Sequence, residues 1–234
     1  EIGSGLVGSE MCIRDRLTTA SSNILKDYIP LYDATIYKKL QESGAVLMGK
    51  TVLDELAMGG TGTTGHTGIV KNPWNKERMI GGSSAGSAAA VALGIVPFAI
   101  GSDTGDSIRK PAAYGGVVGY KPTYGRISRY GLFAFASSLD HLGVFARSVK
   151  DISYVMDIVK GHDEKDMTSL PDEDVNYVNN LSNDVKGKKM FYIKEALEIN
   201  SGNENLEKII ESFYKTIDKC RELGIEVELS LIHI

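Results

Sequence analysis

A chain of 234 residues, 42% hydrophobic and 24% charged, has a globular composition and is long enough for one domain or a large part of one. Its net charge of -4 gives no general attraction to nucleic acid, and no apolar run reaches the ~18 residues that a membrane span needs. Two cysteines, Cys12 and Cys220, are too few for a disulfide framework and fit a reducing compartment.

Residues 1–16 carry neither a helical nor a strand period, and they lack the basic start and apolar run of a signal peptide. Together with 229–234 they read as non-native tails around a piece of a longer gene. Asp33 to Ser43 reads as a short helix with Asp33 as its cap, and Ala45 to Met48 as a buried strand. Gly59 to Thr67 is a Gly/Thr loop, and Asn72-Pro73-Trp74-Asn75 a turn. Ser87 to Leu93 is Ala-rich and predicts a closely packed helix. Val96 to Ile100 and Gly116 to Tyr120 predict strands. Ile152, Val155, Met156 and Val159 recur at helical spacing, which gives a helix over 150–160. Residues 161–186, with Asp163, Glu164, Asp166, Asp172, Glu173 and Asp174, read as an acidic surface connection. A strand over Met190 to Ile193 follows. Then comes a long amphipathic helix through Leu206, Ile209, Ile210, Phe213, Ile217 and Cys220, and a last strand over Ile225 to Val227. Strands alternating with helices predict an α/β domain with a mixed or parallel sheet.

Two nucleotide-binding patterns occur without their context. Gly44-Ala45-Val46-Leu47-Met48-Gly49-Lys50-Thr51 matches a phosphate loop in spelling. Its middle residues are apolar and read as the strand itself, and a helix precedes it. Gly3, Gly5 and Gly8 match a dinucleotide fingerprint, but no strand precedes them and no ribose-binding acid follows in a βαβ unit.

The chemistry concentrates in two serine-bearing glycine loops, Gly81-Gly82-Ser83-Ser84-Ala85-Gly86-Ser87 and Gly101-Ser102-Asp103-Thr104-Gly105-Asp106-Ser107-Ile108-Arg109. A serine can attack a carbonyl once a base takes its proton, and glycines let the backbone approach a ligand closely. The histidines His66, His141, His162 and His233 do not form a Ser-His-Asp order with a Gly-x-Ser-x-Gly elbow. A lysine base is the alternative, since desolvation lowers an ammonium pKa.

These loops resemble the amidase signature family, whose catalytic set is Ser-cis-Ser-Lys. Lys121-Pro122-Thr123-Tyr124-Gly125-Arg126 and Ala136-Ser137-Ser138-Leu139-Asp140 follow in the family's order. The resemblance implies an α/β/α sandwich around a mixed sheet, incomplete here, with residues 17–228 as the N-terminal part of one amidase domain. It makes Ser107 the nucleophile and Ser83 the bridging serine after a cis peptide bond. The amides of Thr104, Gly105 and Asp106 form the oxyanion hole, and no metal is needed. Arg109 braces the loop. Within the family, Leu17-Thr18-Thr19-Ala20-Ser21-Ser22-Asn23, Asp54-Glu55-Leu56-Ala57-Met58-Gly59, Lys71-Asn72-Pro73-Trp74 and Ser128-Arg129-Tyr130-Gly131-Leu132 are most similar to A subunits of aspartyl/glutamyl-tRNA amidotransferases. That likeness implies a cytoplasmic glutaminase with glutamine as substrate and B and C subunits as partners. ATP and Mg are used by the partner subunit, charged tRNA is reached through the complex, and this subunit holds no cofactor.

The chain departs from the family in three ways. The family's lysine lies upstream of the Leu-Thr-Thr-Ala segment, and residues 1–16 contain no lysine, so this fragment itself is expected to be poorly active. Lys50 matches a different family segment, and Lys26 lies past the motif. Asp106 and Ala85 stand where glycines are common, and Asp106 would either repel a developing oxyanion or point outward. The family's C-terminal half, which completes the sheet and part of the pocket, is not in the chain, so exposed apolar strands would predict poor solubility. Two alternatives are a hydrolase of a small free amide and a catalytically inactive interaction subunit.

Overall fold

The computed structural model describes residues 4–171, 175–193, 197 and 202–230. The chain divides into two compact units, 1–180 and 181–234.

The first unit is built on a mixed sheet of β1 (Ser4–Gly8), β2 (Val46–Thr51), β3 (Phe98–Asp103), β4 (Val118–Tyr120) and β5 (His141–Ala146), in the order β2-β1-β3-β5-β4. β1 runs parallel to both β2 and β3, and β5 runs antiparallel to β3 and β4. The helices are α1 (Thr35–Glu42), α2 (Ala85–Ala92), α3 (Arg109–Gly115) and α4 (Val149–Val159).

Two apolar clusters hold this unit together. One joins Val7, Ile36, Leu40, Phe98, Ile100, Val144, Ile152, Val155 and Met156, from α1, α4 and the sheet. The other joins Ile80, Ala85, Ala88, Val91, Ala99, Ile108 and Phe145 around α2. Sheet-facing residues therefore alternate between the clusters, with Phe98 and Ile100 in the first and Ala99 in the second. This is the period of a strand buried on both faces. α2 lies close because its side chains are small. A Cβ on Gly86 would stand 2.6 Å from the Val52 carbonyl oxygen and 2.9 Å from its nitrogen.

The α/β architecture with a mixed sheet is as expected, and several local readings need correction. Residues 4–8 form the strand between β2 and β3, so the absence of a sequence period there did not mean absence of structure. Gly5 fits under the Phe98 ring, where a Cβ would lie 2.6 Å from its edge. Asp33 does not cap α1: the N-cap is Ala34 with no side-chain bond, and Asp33 accepts the Arg14 amide at 2.7 Å instead. β2 continues to Thr51, because Lys50 and Thr51 pair with Val7 and Gly8. The connection after α4 is only partly a surface one. Asp163 accepts the hydroxyls of Thr35 and Ser128 at 2.5 and 2.6 Å, and Asp166 is buried against Arg129. Asp172, Glu173 and Asp174 lie outside the described residues.

The second unit comprises β6 (Lys189–Ile193), α5 (Glu204–Glu222) and β7 (Glu226–Ser230), with β6 and β7 parallel. Asn203 caps α5 by accepting the Asn205 amide at 3.0 Å, and Glu204 and Glu207 lie in the first turn with Lys219 and Arg221 in the last. That polarity complements the helix dipole.

Candidate active site

The two serine loops meet. The first enters α2, and its Gly82-Ser83 peptide bond is cis. Ser83 is fully buried, and its carbonyl accepts the amides of Asp54 at 3.0 Å and Ala85 at 2.8 Å. Its hydroxyl is buried without a hydrogen-bond partner among the described residues. Ser84 ties this loop to the second one. Its amide donates to the Ser107 carbonyl at 3.2 Å, and its hydroxyl donates to the Ser102 carbonyl and accepts the Ser102 amide, both at 3.1 Å. Ser87, one turn on, donates to the Ile100 carbonyl at 2.9 Å and lies 2.8 Å from the Thr51 hydroxyl.

Ser107 follows the end of β3 and precedes α3, with 6% of its surface exposed. Buried carboxylates shape its loop. Asp103 accepts the Ile108 amide at 2.9 Å and a two-point contact from Arg109, at 3.2 Å from Nε and 3.0 Å from Nη2. Arg109 also donates to the Gly105 carbonyl, so it braces the loop from outside. Asp140 accepts the Thr104 hydroxyl at 2.5 Å and the amides of Phe135 and Ala136. The amides of Gly105 and Asp106 donate to no acceptor among the described residues, and the space a Gly105 Cβ would occupy is open to 4 Å. The Asp106 carboxylate pairs with Lys110 at 2.5 Å, one helical turn on, and is 45% exposed. Of the two orientations open to Asp106, the structure has the outward one.

The titratable groups behind the loops have distinct environments. Glu10 is fully buried, and burial pushes its carboxyl pKa up. Its Oε1 accepts the Ser102 hydroxyl at 3.0 Å, while Oε2 has no partner among the described residues. A Cβ on Gly8 would stand 2.0 Å from that oxygen, so the Glu10 carboxyl fills the space beside the end of β1. Lys50 donates to the Met11 carbonyl at 2.8 Å and to the Thr18 hydroxyl, and burial brings its pKa down to about 8. It makes no bond to Ser83 or Ser107.

The phosphate-loop spelling around Lys50 is a strand, with no nest of amides for an anion. Gly5 and Gly8 belong to β1, which leads into a long loop before α1; Gly3 lies outside the described residues. His141 faces the carbonyls of Leu139 and Asp103 and the Tyr124 ring. His162 meets Ser169 at 3.1 Å, but that hydroxyl is already engaged by the Asp163 and Asp166 carbonyls in a turn. His66 sits in the Gly/Thr loop, its amide bonded to the Ser21 carbonyl at 2.7 Å. His233 lies outside the described residues. Among the described residues no group of three His, Cys, Asp or Glu side chains is placed to hold a metal ion.

Sequence reasoning did not find Asp54, Asp103 or Asp140 as shapers of the site. The usable signal was an acid beside a Gly/Thr-rich loop, where a carboxylate can gather consecutive amides.

Comparison with known proteins places the chain in one family. The amidase family model matches residues 7–233, and the chain belongs to the amidase family. The A subunit of glutamyl-tRNA(Gln) amidotransferase from Heliobacterium modesticaldum is 49% identical over 97% of this chain and 47% of its own length. The corresponding A subunit from Carboxydothermus hydrogenoformans is 47% identical over 96% of this chain and 47% of its own length. Among solved structures, the A subunit of glutamyl-tRNA(Gln) amidotransferase from Thermotoga maritima superimposes with a TM-score of 0.91 at 42% identity, over 97% of this chain and 49% of that one. Native peptide amidase from Stenotrophomonas maltophilia gives a TM-score of 0.87 at 32% identity, over 98% and 47%. The chain thus spans about half the length of the relatives it matches.

Proposed function

We propose that this chain carries the serine machinery of a glutamine amidohydrolase that donates ammonia within a tRNA-dependent amidotransferase. The observation that carries the chemistry is the buried, unpartnered Ser83 hydroxyl on a loop tied to Ser107 through the Ser84 amide. In this reading Ser107 Oγ attacks the side-chain amide carbon of glutamine. Its proton passes to Ser83 Oγ, and Ser83 gives up its own to a base. The amides of Thr104, Gly105 and Asp106 receive the charge that develops on the carbonyl oxygen, and one such donor is worth about 3–4 kcal/mol in rate. The C–N bond breaks as a proton returns to the leaving nitrogen, releasing ammonia. Water then cleaves the acyl ester, giving glutamate and restoring Ser107.

The substrate rests on the identity to A subunits over nearly the whole chain. On the same basis B and C subunits are the partners, ATP and Mg act on the partner, charged tRNA is reached through the complex, and the site of action is cytoplasmic. A second reading, an interaction subunit without chemistry, is favoured by one observation. Lys50 is engaged by Met11 and Thr18, and Lys110 pairs with Asp106, so neither lysine is bonded to the serines.

The test is labelling of the full chain with a fluorophosphonate probe, read by peptide mapping, followed by glutamate release from glutamine with B and C subunits present. A single adduct on Ser107 is expected, slow where no lysine base is present, absent in Ser107→Ala and slower still in Ser83→Ala. A folded chain that leaves Ser107 unlabelled sinks the hydrolase and leaves the interaction subunit. Turnover of small free amides that is indifferent to the B and C subunits points to the free-amide hydrolase. Genomic sequence across the codons for residues 1–16 tests the last step of the relay, because a lysine codon there supplies the base.

A further inference from the structure

The Gly/Thr loop and the Ser83 loop share one anchor, and it is neither serine. Asp54 is fully buried just past β2. Its Oδ2 accepts the amides of Thr61 at 3.0 Å and Gly62 at 2.9 Å. Its Oδ1 accepts those of Thr63 at 2.9 Å and Thr64 at 3.1 Å, with the Thr64 hydroxyl at 3.0 Å. Four consecutive amides thus converge on one carboxylate, and a neutral amide side chain could not accept them all. The same oxygen that holds Thr61 and Gly62 lies against Gly82, where a Cβ would stand 2.1 Å from it. The Asp54 main-chain amide donates to the Ser83 carbonyl at 3.0 Å. Gly62, in turn, packs against the next loop: with φ +76, a Cβ there would lie 2.8 Å from the Gly81 carbonyl oxygen and 2.8 Å from the Ala85 Cβ.

We infer that Asp54 is a positioning residue for the Ser83 hydroxyl: its carboxylate folds the 61–64 loop against Gly82, and its amide holds the Ser83 carbonyl. The inference rests on the amidohydrolase reading for what Ser83 does, but not for how Ser83 is held. Nothing in the relay passes through Asp54. It acts by restricting where one buried hydroxyl can point, and a displacement of about 1 Å at such a group can cost a hundredfold in rate. Burial works to raise the Asp54 pKa, but the Gly62 and Thr64 amides, the Thr64 hydroxyl and the Thr61 amide outweigh it and hold the carboxyl below its usual value. The group is therefore ionised at neutral pH.

The experiment compares the full-length wild type with Asp54→Asn, Thr64→Val and Gly82→Ala. Probe labelling of Ser107 is measured across probe concentrations so that kinact and KI separate, and amide exchange is measured by mass spectrometry. Asp54→Asn is expected to lower kinact by about ten- to a hundredfold with KI little changed. Exchange should quicken in 61–64 and 82–84 and stay slow in β3. Thr64→Val, which removes one donor, should show the same pattern more weakly and serves if Asp54→Asn does not fold. Gly82→Ala should mimic Asp54→Asn, because its methyl would meet the Asp54 carboxylate that holds the 61–64 loop.

A merely structural role predicts a smaller folded fraction with kinact unchanged in what remains, and that result overturns the inference. So does unchanged exchange at 82–84 in both Asp54→Asn and Thr64→Val. A wild type that is not labelled at Ser107 sinks the amidohydrolase reading alone, and the exchange pattern still decides whether Asp54 holds Ser83.

Discussion

Asp106 precedes Ser107, the proposed nucleophile, where a carboxylate would oppose an oxyanion, yet it is turned toward Lys110 and half in solvent. Exposed pairs of this kind carry up to ~1 kcal/mol. Asp106→Gly is therefore expected to change the Ser107 labelling rate by no more than about fivefold. A much larger gain would show that the carboxylate faces the reacting carbonyl. Lys50 makes a pH prediction. Its pKa in the folded chain, about 8, lies below the usual 10.5 because burial disfavours the ammonium. Between those values the unfolded chain binds more protons, so stability should rise with pH across that window. Urea midpoints from about pH 7.5 to about 10.5 would read it, and Lys50→Met should flatten the rise. The two serine loops were legible because their glycines mark tight backbone bends, and the structure brings them together through Ser84 and Ser107. Asp103 and Asp140 were not legible, because a carboxylate that gathers amides looks like any loop acid until the loop is folded, and Asp54 was marked only by the Gly/Thr run that follows it.

At the scale of elements, α2 is decided by volume rather than by a polar pattern. Its alanines and Gly86 let the helix lie against β2 and the Val52 backbone, and that closeness brings Ser84 onto Ser102 and Ser107. Gly86→Ala should therefore cost about 1–3 kcal/mol, the usual penalty of overpacking against backbone that cannot yield. Gly115→Ala, whose Cβ would meet Ile80 at an ordinary 3.6 Å, should be neutral or slightly stabilising in the same denaturant titration. The small-residue run made α2 readable, and apolar residues at helical spacing did the same for α4 and α5. α3 was missed because seven residues with Pro111 and a closing glycine spell a turn; a proline is tolerated in a helix's first turn. β5 was missed because His141–Ala146 includes Gly143, where the Tyr120 carbonyl leaves no room for a side chain.

Across the whole molecule, acids that are buried or half-buried among hydrogen-bond donors link fold and pH. Asp54, Asp103, Asp163 and Asp166 are each pulled up by burial and pulled down further by the bonds they accept, so all are held below the usual carboxylate value. For groups of this sign, stability is complete above the unfolded pKa of about 3.9 and is lost as pH falls through the lower folded values. Thermal melts should be nearly flat from about pH 7 down to about 5 with respect to these groups and fall steeply below about 4. In Asp54→Asn that acid limb should be shallower. The class of fold was legible from alternating strands and helices. The order β2-β1-β3-β5-β4 was not, since strand neighbours far apart in sequence leave no local mark.

That order has a consequence for assembly. β1 is synthesised before β2 and β3, yet it pairs with both, and they do not pair with each other. Seen from β2 and β3, β1 fills a slot between two parallel edges. The slot takes a small residue at position 5, because the Phe98 ring closes it there. The chain thus completes its own sheet in the way an added extended peptide would.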